Sequence, residues 1–153
     1  MLSKLSDRKL HLYLEMARAA ANFSKDRSTK VGAIILTPDY GFSMGYNGFP
    51  RGINDDVDER HERPEKYQWV SHAEMNSITN AARAGLRLKG STLFCTKFPC
   101  TECCKALIQA GIETVVTVPE TDPNWMEQIK TTCIMFEEAG VTIVLLEEIR
   151  DGE

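Results

Sequence analysis

His72 and Glu74 stand two apart at the opening of one helical stretch, and Cys100 and Cys103 stand three apart at the opening of another. Sulfurs at that spacing share one helix face, a single turn apart. Free backbone N–H groups and the positive end of the helix dipole lower thiol pKa values there, favouring the thiolate that a metal ion needs. One imidazole and two thiolates suit Zn2+ better than hard, oxygen-seeking ions. The number of ligands then separates two kinds of zinc: a structural site takes four protein ligands, whereas a catalytic site takes three and keeps a position for water. Among possible fourth ligands, Cys104 points about 100° round the helix from Cys103, Cys95 falls in a predicted strand and Cys133 in the last predicted helix. His61 lies in a charged loop and stays open as a fourth ligand.

Glu74 has two readings. Ser71-His72-Ala73-Glu74 fits a capping box, in which the Ser caps the helix and the Glu reaches back to the Ser N–H. The other reading sets its carboxylate beside a zinc-bound water as general acid and base. Helix positions two apart do not face one another, so His72 and Glu74 do not ligate one ion together. The presence of Cys100 and Cys103 favours the second reading. A redox role for the C-x-x-C pair needs no His-x-Glu and usually follows a first strand. His11, on the first predicted helix, reads as an ordinary surface or core histidine.

The order of apolar runs shows which elements must bring the two openings together. From Leu2 to Phe23, the residues Leu10, Tyr13, Leu14, Ala17, Ala20 and Ala21 recur at helical spacing. After a polar break over 24–30, Val31 to Leu36 reads as a buried strand stopped by Pro38 and Asp39, and Gly41 to Tyr46 pairs with it as a hairpin. Residues 47–70 hold Gly48, Pro50, Gly52, Pro64 and a dense charge cluster from Asn54 to Lys66 without apolar periodicity, which predicts a long loop. Ser71 begins a helix that ends at Gly85. Strand Thr92 to Thr96, helix Cys100 to Ala110 with Gly111 as its stop, strand Thr114 to Val118, helix Pro123 to Ala139 and strand Val141 to Leu146 follow. Strands alternating with helices in units of about 25 residues predict a mostly parallel sheet covered on both faces.

A chain of 153 residues is the usual size of one domain, expected here to span 1–153. Its 42% hydrophobic and 26% charged content is ordinary for a soluble globular protein, and no window approaches the ~20 apolar residues of a membrane span. The N-terminal residues lack the apolar run of a signal peptide, so a cytoplasmic location is the default expectation. Five cysteines, an odd number without an export signal, argue for reduced thiols or a metal rather than a disulfide framework. A net charge of −4 gives no general cationic footprint for a polynucleotide, so any nucleotide bound is small and held locally.

Four stretches carry a family resemblance: Thr29-Lys30-Val31-Gly32-Ala33, Gly45-Tyr46-Asn47-Gly48-Phe49-Pro50-Arg51-Gly52, His72-Ala73-Glu74-Met75-Asn76 and Phe98-Pro99-Cys100-Thr101-Glu102-Cys103. H-x-E followed by P-C-x-x-C is the signature of zinc nucleobase deaminases. With Gly-Tyr-Asn-Gly before Phe-Pro, the chain resembles the deoxycytidylate (dCMP) deaminases of the cytidine deaminase-like superfamily. The resemblance implies a three-layer α/β/α sandwich around a mixed, mostly parallel five-stranded sheet. It implies hydrolysis of dCMP to dUMP and ammonia, supplying thymidylate synthesis. Zinc would be held by His72, Cys100 and Cys103, and Glu74 would carry the proton from water to N3 and to the departing amine. The backbone at Ala73 and Pro99 would border the base.

The same resemblance places the sugar hydroxyl at Asn47, against the plain alternative of an Asn-Gly hairpin turn, and makes Ser24, Arg27 and Lys30 candidates for the 5′-phosphate. Relatives assemble as homo-oligomers, typically hexamers. In many of them the loop that is Gly45, Tyr46, Asn47, Gly48, Phe49 and Pro50 here also binds dCTP or dTTP, usually with Mg2+, and acids stand where this chain has Asp55 and Asp56. One departure concerns the pocket ceiling. Many members follow the strand ending at Val118 with an aromatic that covers the substrate; this chain has Pro119-Glu120-Thr121-Asp122-Pro123, and Trp125 is the nearest ring. Two other readings compete: a deaminase of another free cytosine nucleoside or nucleotide, and a structural-zinc module without turnover. A tRNA or DNA deaminase needs a cationic surface that the net charge does not support.

Overall fold

Apolar runs too short for helices and fully buried along their length become the middle of the fold. The computed structural model describes residues 4–147. Five strands form one sheet, β1 Gly32–Leu36, β2 Phe42–Tyr46, β3 Ser91–Cys95, β4 Ile112–Thr117 and β5 Thr142–Leu145, in the order β2-β1-β3-β4-β5. Every residue of β1 and β3 is buried, as continuous apolar strands inside a covered sheet require. Among the described residues the helices are α1 Asp7–Ala21, α2 Lys66–Trp69, α3 Ala73–Ala84, α4 Thr101–Ala110 and α5 Met126–Glu138; all but the short α2 pack on the sheet.

Alternation along the strands divides the core into two layers. Ala33 and Ile35 of β1, with Leu93 and Val115, pack against Ala73, Leu107 and Phe136 of α3, α4 and α5. Ile34 and Leu36, with Phe94 and Val116, pack against Leu10, Ala17 and Ala20 of α1. The result is the expected three-layer α/β/α sandwich. In α1 the predicted apolar face is the buried one, and the Ser6 hydroxyl caps its start by accepting the Lys9 N–H.

The sheet is mixed. β1 runs antiparallel to both β2 and β3, while β3, β4 and β5 pair in parallel. Strand directions explain the expectation of a mostly parallel sheet: β2 crosses through α3 to β3, β3 through α4 to β4, and β4 through α5 to β5, so four strands run one way. β1 alone opposes them, because a tight turn at Pro38 to Tyr40 returns the chain directly into β2.

Two local differences from the sequence reading bear on the site. The charged stretch 47–70 is not loop throughout: it holds a 3-10 turn at Asp58–His61 and the short helix α2. Charge contacts at long range build it, with Lys25 on Asp55 and Arg27 on Asp58, and periodicity reports none of these. The last predicted helix divides into a 3-10 turn at Pro123–Trp125, capped by Asp122, and α5 proper.

Gly45 shows why β2 can lie so close to α3. A Cβ there would stand 2.2 Å from the Ala73 carbonyl oxygen and 2.4 Å from the Ser77 nitrogen, both backbone atoms. Gly45→Ala is therefore expected to push strand and helix apart at a cost of about 3 kcal/mol. The check is a lower urea midpoint at unchanged slope; an unchanged midpoint would mean that the strand shifts outward without loss.

Candidate active site

The starts of α3 and α4 abut, and this brings the sequence-predicted donors together. His72 is the N-cap residue of α3 and Cys100 that of α4. His72 Nδ1 lies 3.4 Å from Cys100 Sγ and 3.5 Å from Cys103 Sγ, and the three donor atoms lie within 4.8 Å of one another. Tetrahedral zinc with ordinary Zn–S and Zn–N lengths sets neighbouring N and S donors roughly 3.5 Å apart. The donor set therefore fits Zn2+ through Nδ1 of His72 and both sulfurs.

The electrostatics favour a cation. Hydrogen bonding from the Cys103 thiol, and then from His72, lowers the Cys100 pKa to about 4 against the effect of burial. Cys103 moves upward because it donates to that negative sulfur and is buried beside it. The bond to Cys100 raises the His72 pKa, with burial opposing. A divalent cation among the three donors would let both sulfurs ionise.

No fourth protein ligand joins this cluster among the described residues. His61 Nε2 donates to the Asp55 carbonyl, 2.6 Å away, and the ring stacks on Phe49. The Cys104 thiol donates to the Thr132 carbonyl, and Cys95 is buried in β3.

Glu74 sits on the first turn of α3, only 4% exposed, and lines a cavity of about 140 Å³ together with His72 and Cys100. Burial raises its pKa above the ordinary carboxylate value, against its own backbone N–H and the His72 charge. The capping-box alternative does not form. The Ser71 N–H donates to the Gly48 carbonyl at 2.8 Å in an isolated strand bridge, and the helix begins two residues later than the sequence suggests.

Other expected residues divide between cavity and surroundings. Ala73 and Asn47 line the cavity. Asn47 is not in a hairpin turn; its Oδ1 accepts the Val31 N–H and its Nδ2 donates to the Thr29 carbonyl, each at 2.9 Å. Ser24 is buried and donates to the Asn47 carbonyl, behind the cavity wall rather than on it. Pro99 is buried, with Phe98 and Cys100 on either side forming the wall. Arg27 and Lys30 are exposed and do not reach the cavity, Arg27 because Asp58 holds its guanidinium at 2.7 Å. Of the segment Gly45 to Pro50, Tyr46, Asn47, Gly48 and Phe49 border a second cavity of about 180 Å³. Trp125 lines the first cavity, with Lys97 Nζ 4.7 Å from its ring centre.

Sequence reading missed Asp26, Arg63 and Lys66, which all line the cavity. Lys66 and Asp26 are a buried ion pair, 3.2 Å apart with side chains 9% and 6% exposed. Nothing in a run of charges separates one lysine that turns inward from neighbours that do not. Burial pushes the Asp26 pKa up, but the Thr29 and Ser28 N–H groups and Lys66 outweigh it and leave the carboxyl below its ordinary value. The pair's stabilisation is thus present above the unfolded carboxyl pKa and is lost as pH falls through the folded one. Asp26→Asn is expected to cost roughly 3 kcal/mol at neutral pH. Urea midpoints of variant and parent should converge below pH ~4; a constant gap would remove the charge from the explanation.

The profile described as the cytidine and deoxycytidylate deaminase zinc-binding region matches residues 7–118, from α1 through β4. The chain belongs to the cytidine and deoxycytidylate deaminase family. Over 149 residues this deaminase is 38% identical to the uncharacterized deaminase in the luxG 3′ region of Aliivibrio fischeri, covering 95% of this chain and 96% of that one. It is 36% identical over 154 residues to the deoxycytidylate deaminase of Mus musculus, covering 92% and 85%. Among solved structures, the dCMP deaminase of cyanophage S-TIM5 in complex with dCMP and dUMP superposes with a TM-score of 0.76 at 26% identity, covering 93% of this chain and 99% of that one.

Proposed function

We propose that this deaminase hydrolyses dCMP to dUMP and ammonia, with His72, Cys100 and Cys103 as zinc ligands and Glu74 as the proton carrier. The observation that carries the reading is three donors at zinc spacing, with a buried carboxylate that belongs to none of them. Zn2+ bound there supplies the Lewis acidity that brings proton loss from water near neutral pH. Glu74 takes a proton from the attacking water and passes it to N3 of the base as the C4–O bond forms. It then takes the second proton from that oxygen and delivers it to the amine, so that the C4–N bond breaks with ammonia leaving and a carbonyl remaining. Its raised pKa suits a group that must both accept and return a proton. Cys100, the N-cap of α4, accepts the Cys103 N–H, which sets its sulfur at the positive end of that helix dipole.

The backbone of Ala73 and Pro99 borders the base in this reading, and Asn47 meets the sugar. Two of the Asn47 amide's hydrogen-bonding positions are fixed by Val31 and Thr29, which leaves one N–H and one lone pair for a hydroxyl. Supporting the substrate are the mouse relative, named a deoxycytidylate deaminase, and the cyanophage enzyme solved with dCMP and dUMP. Ammonia release measured side by side from dCMP, deoxycytidine, dCTP and adenosine tests it. The expected order puts dCMP first; release from none of them by zinc-loaded protein would favour a structural-zinc module.

Regulation and assembly extend the proposal. Gly45 to Pro50 is the segment we assign to a dCTP or dTTP effector with Mg2+, supported by the second cavity it borders, which shares Asp26, Asn47 and Val70 with the first. Adding dCTP or dTTP with Mg2+ to the dCMP assay tests the effector, and sedimentation tests a homo-oligomer, with a hexamer expected. No described helix is long and apolar enough to cross a membrane, and turnover of free nucleotides suits a cytoplasmic protein.

A further inference from the structure

One wall of the first cavity is built from a segment that the core does not hold. From Pro119 to Thr131 no residue is buried, although Thr117 before the segment and Thr132 after it are fully so. Its hydrogen bonds stay within it. Glu120 Oε1 accepts the N–H groups of Thr121 and Asp122, and Asp122 Oδ1 accepts that of Asn124, each at 2.9 Å, while the Trp125 N–H returns to the Asp122 carbonyl. Beyond the ladder of α5 itself, no hydrogen bond or ion pair ties these residues to another element among the described residues. Yet Glu120, Trp125, Gln128 and Ile129 line the cavity that His72, Glu74 and Cys100 also line.

The two ends of α5 are anchored differently. Its later turns belong to the core: Phe136 is fully buried in one cluster with Leu107 and Cys104 of α4, and the Cys104 thiol donates to the Thr132 carbonyl. Its leading turn and the 3-10 turn before it stay open to solvent, with Trp125 38% and Met126 42% exposed. Stretches with few buried apolar contacts open at a lower free energy than the core does. One contact reaches across from the opposite wall. Lys97, in the turn between β3 and α4, lines the same cavity and holds its Nζ 4.7 Å from the centre of the Trp125 ring. Lys97 makes no ion pair among the described residues, so no carboxylate competes with the indole for its ammonium.

We infer that residues 119–131 form a flap on the cavity and that Lys97 is the positioning residue that clasps it shut through Trp125; this rests on the reading above that the cavity holds the substrate. A cation over an indole face shifts such an equilibrium by roughly 3- to 30-fold. That is enough to favour the closed flap and small enough to let product leave. Closure sequesters what is bound from water. The clasp stands on the zinc side of the cavity, since Lys97 precedes Cys100 by three residues. Releasing it should therefore loosen nucleotide and nucleoside alike.

Hydrogen exchange on the zinc-loaded protein tests the flap without substrate. Lys97→Met keeps much of the side chain's length and removes its charge. In that variant the amides of residues 121–131 should exchange roughly 3- to 30-fold faster while those of 133–138 keep the parent's rates, and Lys97→Arg should restore the parent's pattern. In turnover assays, Lys97→Met should raise KM for dCMP and for deoxycytidine by the same factor, roughly 3- to 30-fold, with Lys97→Arg recovering it. Unchanged exchange and unchanged KM would overturn the clasp. So would a loss confined to dCMP, which would assign the ammonium to the phosphate, or a fall in kcat at constant KM, which would assign it to the chemistry. A protein inactive on dCMP that shows the exchange result keeps the flap and loses the reaction. One that deaminates dCMP with no response to Lys97 loses the flap alone.

Discussion

Glu74→Gln is expected to lower kcat on dCMP by roughly 10²- to 10⁴-fold while the protein keeps its zinc and its fold. The amide occupies the same volume as the carboxylate, so packing against the sheet is preserved, and it can neither accept the proton from water nor return one to the amine. Stability should not fall. A carboxyl whose folded pKa is raised by burial costs stability once pH rises above its unfolded value, and an amide carries no such cost. Turnover, zinc content and melting temperature measured on one preparation separate the alternatives. If Glu74 mattered only as a helix-start residue, the variant would melt lower and lose activity only in proportion to unfolding. The Ser71 N–H already bonded to Gly48 argues against that outcome.

Cys100→Ser is expected to have the larger effect, releasing zinc, abolishing turnover and lowering the melting temperature together. Without the ion, the pKa of water returns upward to its bulk value and attacking hydroxide is no longer available near neutral pH. The loss of stability follows from coupling between metal binding and folding. Two structural contributions add to it, since Cys100 Sγ also accepts the Cys103 N–H at the start of α4 and pairs with His72. Zinc content by mass spectrometry and thermal melts with and without chelator check the prediction. An active, zinc-replete Cys100→Ser protein would contradict the ligand set. In the parent, lowering pH should release zinc as protons compete for the thiolates.

Much of this arrangement was readable because local pattern and tertiary role agree. The continuous apolar run ending at Leu36 had to be a covered strand, and the periodic face of Leu10, Leu14, Ala17 and Ala20 had to be the inner face of α1. His72 and Cys100 could be placed at helix starts from the apolar periodicity that follows each. Features set by partners distant in sequence were not readable. Ser71 looked like a cap because the chain does not reveal that Gly48 takes its N–H. Arg27 looked available because Asp58, 31 residues away, cannot be seen to hold it. Lys66 looked like one more charge in a solvated cluster, yet Asp26 draws it inside from 40 residues away. Residues 58–61 and 66–69 form turns of helix that charge contacts, not apolar periodicity, hold in place.

The most direct test of the central claim is a zinc titration of the metal-stripped protein, followed by ammonia release from dCMP. Turnover should be absent at the start, rise in proportion to zinc bound and stop rising at one ion per chain, with Glu74→Gln binding the same zinc and remaining near background. Deamination of dCMP by the stripped protein, or a chain that binds its single zinc and releases no ammonia from dCMP, would contradict it.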